Sequence, residues 1–279
     1  MPAMQVAIEP YPPIHPVELW DTHAHLDFPD FAGDFAGVLE RARAVGVARI
    51  LSIGTDLPSS RRAIALAEQY DFVYAVAGWH PSHADTAPDD IRDELRALAA
   101  HPKVVAIGET GLDYHRLPED PAAAAELKVR QRKLFEQQLE VAESLGLNCV
   151  IHERDAFEDV YATLSPWFSR LRTVFHCYVN TLPNALRIIE AGSLVSFTGI
   201  VTFKNAEQVR DVVRGIPEGK FMVETDCPFL APMPHRGKRA EPAHVRLTAE
   251  KLAEVRGIPV AQISAMTCAT ARAFFPKVR

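Results

Sequence analysis

The chain has 279 residues, a formal net charge of −6 and 24% charged residues. That length suits one large core, and the acidic balance excludes a protein that grips nucleic acid mainly by global charge. No uncharged apolar run is long enough to span a bilayer and no Lys or Arg precedes Arg41, so neither a membrane helix nor the basic start of a secretory signal is expected, and a cytoplasmic location is the default.

Residues 1–17 carry Pro2, Pro10, Pro12, Pro13 and Pro16, a density that forbids a regular helix or a central strand. This segment reads as an N-terminal extension ahead of a single domain over 18–279. Short runs rich in Val, Ile, Leu, Phe and Ala then recur at 18–23, 48–54, 73–78, 104–109, 148–152, 173–177, 194–199 and 220–225. Near-continuous hydrophobicity of this kind marks strands buried on two faces. Helical patterns fall between them at 34–45, 58–70, 88–100, 121–145, 155–164, 182–191, 205–214 and 242–256, with a last helix near 260–275. Pro58, Pro88 and Pro121 supply start signals, while Gly46 and Gly146 stand where helices should end. Eight strand–helix pairs in alternation predict an α/β fold, a (β/α)8 TIM barrel.

A barrel of parallel strands gathers the C-terminal ends of those strands at one mouth. Six side chains that can bind metal follow the apolar runs: His23 and His25 in DTHAH, Glu109 in IGET, His152 in VIHER, His176 in FHCY and Asp226 in ETDCP. His23 and His25 are two apart and point to the same side of a strand. Alone, such a pair or a single strand-end histidine is ordinary. Six nitrogen and carboxylate donors at five strand ends describe a metallohydrolase.

Glu109 is placed to bridge two cations, which in dinuclear centres sit ~3.5–4 Å apart. One divalent ion would take His23, His25, Asp226 and Glu109, and the other Glu109, His152 and His176. Glu109 and Asp226 are then the catalytic carboxylates, Asp226 also accepting a proton from the attacking water. Histidine-rich ligation suits Zn²⁺ or Mn²⁺, and phosphodiester chemistry suits Mg²⁺ or Mn²⁺. Cys149, Cys177, Cys227 and Cys268 lack CxxC spacing and read as reduced, structural thiols. Strand alternation predicts that Cys177 and Cys227 face away from the neighbouring His176 and Asp226.

The segments DTHAHLDF, AGWHPSHA, VVAIGETGLDYHR, IHERDA, FHCY, VSFTGIVTFKNAE and VETDCPFLAP resemble the TatD family of metal-dependent hydrolases, amidohydrolase-like barrels, over roughly residues 20–275. The resemblance implies a (β/α)8 barrel, a divalent-metal centre using the six residues above, and deoxyribonuclease-type phosphodiester hydrolysis. Many dinuclear relatives use a carboxylated lysine on the fourth strand, where this chain has Glu109, with Lys103 ahead of the strand. Three departures stand out. His176 opens HCYVN where HCFSG is usual, and Ala240 and Thr270 occupy positions typical of Asn. None touches a ligand, so they bear on substrate preference and not on metal binding.

DNA or an oligonucleotide is the expected partner, with no membrane and with a monomer compatible with the sequence. His80, Asp113, Tyr114, Arg154, Lys204, Arg236 and Arg239 are the candidate substrate contacts, the basic ones through flanking phosphates. Phe203, Trp79 and Tyr114 are candidates to stack bases. A small-molecule amidohydrolase or lactonase and a nucleic-acid-linked esterase are alternatives on the same scaffold, and a non-catalytic metal-binding protein is a third.

Overall fold

A computed structural model of the chain describes residues 17–279, so all but Val17 of the Pro-rich extension lies outside the described residues. Eight strands, β1 (Leu19–Ala24), β2 (Val47–Ile53), β3 (Val73–Ala77), β4 (Val104–Asp113), β5 (Asn148–Arg154), β6 (Thr173–Phe175), β7 (Leu194–Phe197) and β8 (Phe221–Val223), form one sheet in sequence order. Every neighbouring pair is parallel. A parallel bridge between Ala24 and Cys227 brings the last strand end back to the first. The result is the expected (β/α)8 barrel.

The helices are α1 (Phe35–Ala44), α2 (Leu57–Gln69), α3 (Arg92–Ala99), α4 (Pro121–Leu145), α5 (Phe157–Leu164), α6 (Leu182–Glu190), α7 (Glu207–Gly215), α8 (Val245–Arg256) and α9 (Val260–Phe274). Local chemistry sets several ends. Asp56 accepts from the Ser59 amide at 2.6 Å to cap α2, and Gly146 ends α4 at φ +63°. The expected helix start at Pro88 is displaced to Arg92. Gln137 of α4 explains this, since its side chain binds the Asp89 carbonyl and the Ile91 amide and holds 88–91 as a loop.

Alternation along the strands divides the core. One buried cluster draws from all eight strands (Trp20, Leu51, Tyr74, Ala106, Val150, Val174, Leu194 and Met222 among them) and is completed by Cys268, Ala271, Phe274 and Phe275. The other joins Leu19, Ile50, Val73, Ile107, Ile151 and Phe197 to the surrounding helices. The end of α9 therefore stops the N-terminal end of the barrel. Asn148 donates to the Phe274 carbonyl there, and Arg49 and Tyr74 bind the Arg279 carbonyl. Only the opposite mouth is left open for chemistry. Among the described residues no helix is long and apolar enough to cross a membrane.

Candidate metal centre at the barrel mouth

Glu109 does not end its strand, as the sequence suggested. β4 continues to Asp113, and the register slips between Ile107 and Thr110, so three residues of β4 are set against two of β5. Such a bulge redirects the extra residue, and here it lets Glu109 project into the mouth. Two glycines permit it. Gly108 and Gly111 have φ of +148° and +141°, and a Cβ on Gly111 would stand 2.0 Å from the His152 carbonyl oxygen. Any side chain there would push β4 off β5.

The two Glu109 oxygens face different partners. Oε2 lies 3.2 Å from His23 Nε2 and 3.6 Å from His25 Nε2. Oε1 lies 2.6 Å from His176 Nε2, 2.8 Å from His152 Nδ1 and 3.3 Å from His80 Nε2. Asp226 joins the first group, with Oδ1 3.3 Å from His25 Nε2 and 3.7 Å from His23 Nε2. All six expected ligands are thus gathered around one carboxylate. His80, expected to touch substrate, lies against Glu109 and His152 instead, and forms with them a further triad able to hold an ion. Its position after β3 made it visible in the sequence, but its packing on Glu109 was not.

Second partners orient the rings. His25 Nδ1 is 3.1 Å from the Ile53 carbonyl, which can only accept, so Nδ1 carries the proton and Nε2 is free to ligate. His152 Nε2 contacts Asp113 Oδ2 at 2.9 Å, which turns Nδ1 toward Glu109. Asp113 is therefore engaged with a ring rather than held out for substrate. Glu224 accepts from the Cys177 amide and the Ser196 hydroxyl, each at 2.6 Å, and stands 3.6 Å from His176 Nδ1, beyond hydrogen-bond length. Asp21 accepts from the Thr225 hydroxyl at 2.6 Å and its amide at 2.9 Å, tying β1 to the segment after β8. Asp21 and Glu224 escaped the sequence reading, although each precedes an expected ligand by two residues.

Burial and the mutual contacts of these side chains set the electrostatics. Burial opposes the charge on Glu109, but His176, His80 and His23 outweigh it and hold the carboxyl well below its usual range. Burial likewise opposes protonation of His176, yet Glu109 and Glu224 lift it well above an ordinary imidazole. His23 is pushed down by burial and by His176, and His80 falls to about 4, chiefly by burial. Asp21, sealed from water, rises to about 8. The donor set fits divalent ions on this chemistry. Several ring nitrogens converge on shared carboxylate oxygens, an arrangement in which a cation can take the place of protons. His23 Nδ1 has no hydrogen-bond partner among the described residues.

The cysteines stay out of the ligand groups found among the described residues, but not for the reason expected. Cys177 and Asp226 have left the strands, with φ of +46° and +58°, so strand alternation does not govern them. Cys177 Sγ instead contacts Thr198 Oγ1 at 3.5 Å, and Cys227 is fully buried. Lys103 lies at the opposite end of the barrel, donating to the Asp71 and Val73 carbonyls.

The rim residues sort by their partners. Arg154, Lys204 and Arg236 are exposed, and Arg236 lies over the Phe203 ring at 4.3 Å. Arg239 is committed elsewhere, its guanidinium donating to Asp34 at 2.7 and 2.8 Å and to the Asp30 carbonyl, against the expected role in binding substrate. The Tyr114 hydroxyl binds Asp159 at 2.8 Å with Lys128 over its ring. Trp79 is buried, its indole N–H on the His83 carbonyl. Neither of these two aromatics is free to stack a base.

Comparison with known proteins agrees with this geometry. The family model described as TatD related DNase matches residues 20–276. The chain is 40% identical over 260 residues to an uncharacterized metal-dependent hydrolase, YabD, of Bacillus subtilis, covering 92% of this chain and 98% of that protein. It is 33% identical over 264 residues to the 3'-5' ssDNA/RNA exonuclease TatD of Erwinia tasmaniensis, covering 92% and 99%. The crystal structure of YjjV, a TatD homologue from Escherichia coli K12, superposes with a TM-score of 0.85 at 30% identity, over 94% of this chain and 99% of that one. With its barrel, its cluster of histidines and carboxylates and these relatives, the chain belongs to the TatD family of metal-dependent hydrolases.

Proposed function

We propose that this chain is a divalent-metal-dependent nuclease that hydrolyses phosphodiester bonds of DNA, acting on single-stranded ends, with a dinuclear centre in the barrel mouth. One observation carries the reading. Glu109 divides its two oxygens between two sets of ring nitrogens, His23 and His25 on one side and His152 and His176 on the other. A bridging carboxylate between two such sets is the donor pattern of a two-ion hydrolase. His23, His25, Asp226 and Glu109 would hold one ion, and Glu109, His152 and His176 the other, with His80 beside them. The chemistry supplied by bound divalent ions is acidification of a water and neutralisation of phosphoryl charge.

The chain's own residues do the rest. Asp226 has the most exposed carboxylate of the cluster, its side chain 14% accessible against 3% for Glu109. Burial opposes its charge, but His25 and His23 keep its pKa below the usual value, so it is ionised and able to accept the proton of an attacking water. Asp113 and the Ile53 carbonyl hold His152 and His25 in the orientations described. Arg154, Lys204 and Arg236 line the rim, where they can meet flanking phosphates. The exonuclease named in Erwinia tasmaniensis supports an end-directed, single-strand substrate.

The test is a panel of labelled single- and double-stranded DNA and RNA, with Mg²⁺, Mn²⁺ and Zn²⁺ supplied in turn. Stepwise shortening of single-stranded DNA is expected. Failure to cleave any nucleic acid with any of the three metals would overturn the proposal.

A further inference from the structure

Among the described residues, Phe229 is the aromatic side chain left most open among the large exposed hydrophobics, 49% accessible. Its placement is not that of a stray surface residue. The Phe229 amide donates to the Asp226 carbonyl at 3.0 Å, and the Phe28 amide donates to the His25 carbonyl at 3.3 Å. Each phenylalanine thus follows a proposed ligand by three residues and is turned back toward it. The two rings meet at 88° with centroids 5.7 Å apart, an edge-to-face pair. Phe28 lies 5.0 Å from the His25 ring, and Phe229 lies 6.2 Å from it.

The loop beneath Phe229 is fixed. Leu230 is held at φ +55°, and a Cβ on Gly199 would come within 2.5 Å of the Leu230 carbonyl oxygen, so the loop backbone rests directly on the turn after β7. The Met233 amide donates to Thr202 Oγ1 at 2.8 Å, and the Ala240 amide to the Pro228 carbonyl at 2.9 Å. Positive φ at a bulky residue is costly and recurs where a ligand is clamped. Of the aromatics expected to stack bases, Trp79 is buried, Tyr114 lies under Lys128 and Phe203 under Arg236, which leaves Phe229 as the open ring beside Asp226.

We propose that Phe229, packed perpendicular to Phe28, is the platform on which the base of the nucleotide next to the scissile phosphate stacks. The inference rests on the nuclease reading and deepens it by naming what the site recognises. A planar ring accepts any base by its face, so the platform is tolerant of sequence. A paired terminal base must leave its own stack to reach it, so unpaired ends are preferred over blunt duplex. The stack fixes substrate without touching the reacting atoms, which makes Phe229 a specificity residue.

The test compares wild-type protein, Phe229→Ala and Phe229→Tyr on two single-stranded oligonucleotides. One is intact, and the other carries an abasic residue at the end where cleavage begins. For the intact oligonucleotide, Phe229→Ala should raise KM roughly tenfold, the scale of removing one base–aromatic stack, with kcat little changed, and Phe229→Tyr should restore it. For the abasic oligonucleotide, wild type should already show the raised KM, and Phe229→Ala should add nothing. An unchanged KM in Phe229→Ala, or the same loss on intact and abasic ends, overturns the platform while the nuclease stands. A wild-type protein that cleaves neither oligonucleotide overturns the nuclease reading, and the platform with it.

Discussion

His152 Nδ1 stands 3.2 Å from His176 Nε2, two ring nitrogens aimed at one another beside Glu109 Oε1. At most one proton fits between them. Two ring nitrogens converging on one carboxylate oxygen form a place that protons or a cation can occupy.

Divalent-ion binding should therefore compete with protons. Burial opposes protonation of both rings, but Asp113 and then Glu109 push His152 up, and Glu109 and then Glu224 push His176 up. Each must lose its proton to ligate, so affinity should fall as pH is lowered and binding should release protons. Calorimetric titration of the metal-free protein at pH 8 and pH 6, in buffers of different ionisation enthalpy, measures this. Chelation should abolish hydrolysis but leave the circular dichroism spectrum intact, because the apolar core closes the barrel without metal. Binding independent of pH would contradict the ligand assignment.

Asp226→Asn should keep the fold and lose at least ~10²-fold in turnover, on the scale of a removed general base. Glu109→Ala should weaken both ion sites, because each set of histidines shares that carboxylate. Turnover and bound metal, measured on the same samples, separate the two effects.

Asp113→Ala should act through His152. Without the 2.9 Å interaction at Nε2 the ring is free to turn, and outer partners of this kind are worth ~10–100-fold in metal affinity. Metal content after dialysis against a graded chelator reads this without an activity assay.

Asp21 gives a pH signature of stability in the metal-free protein. Its folded pKa is raised from 3.8 to about 8, mainly by burial. Between those values the native state holds a proton that the unfolded state has released. Its contribution is therefore full below pH 3.8 and is lost as pH rises toward 8, at up to about 1.4 kcal/mol per pH unit. Asp21→Asn should remove this slope, so the variant should gain on wild type as pH rises from 5 to 8 in urea unfolding. Parallel stability curves would show that Asp21 is ionised.

Charge removal at the rim should affect long substrates selectively. Lys204→Ala with Arg236→Ala should raise KM for an oligonucleotide and lower its salt slope by about 1 for each phosphate no longer neutralised, while a small phosphodiester is little affected. Arg239→Ala should behave differently. Its guanidinium holds Asp34, so the expected effect is on the loop after β8 rather than on the salt slope. An unchanged salt slope in the rim double variant would count against phosphate tracking.

The barrel was determined by the sequence alone, because eight apolar runs buried on two faces and alternating with helices have one economical closure. The clustering of the six expected ligands was legible for the same reason, since strand ends in that topology must converge. What the chain could not announce were the departures from regular strand geometry. The bulge that projects Glu109 depends on Gly108 and Gly111 meeting the β5 backbone, and the late start of α3 depends on Gln137 from a different helix. Which charges are free was also a tertiary matter. Arg236 and Arg239 are three residues apart and alike in sequence, yet one is exposed over Phe203 and the other is bound to Asp34. Side-chain partners distant in the chain are set by packing, and local residue patterns carry no record of them.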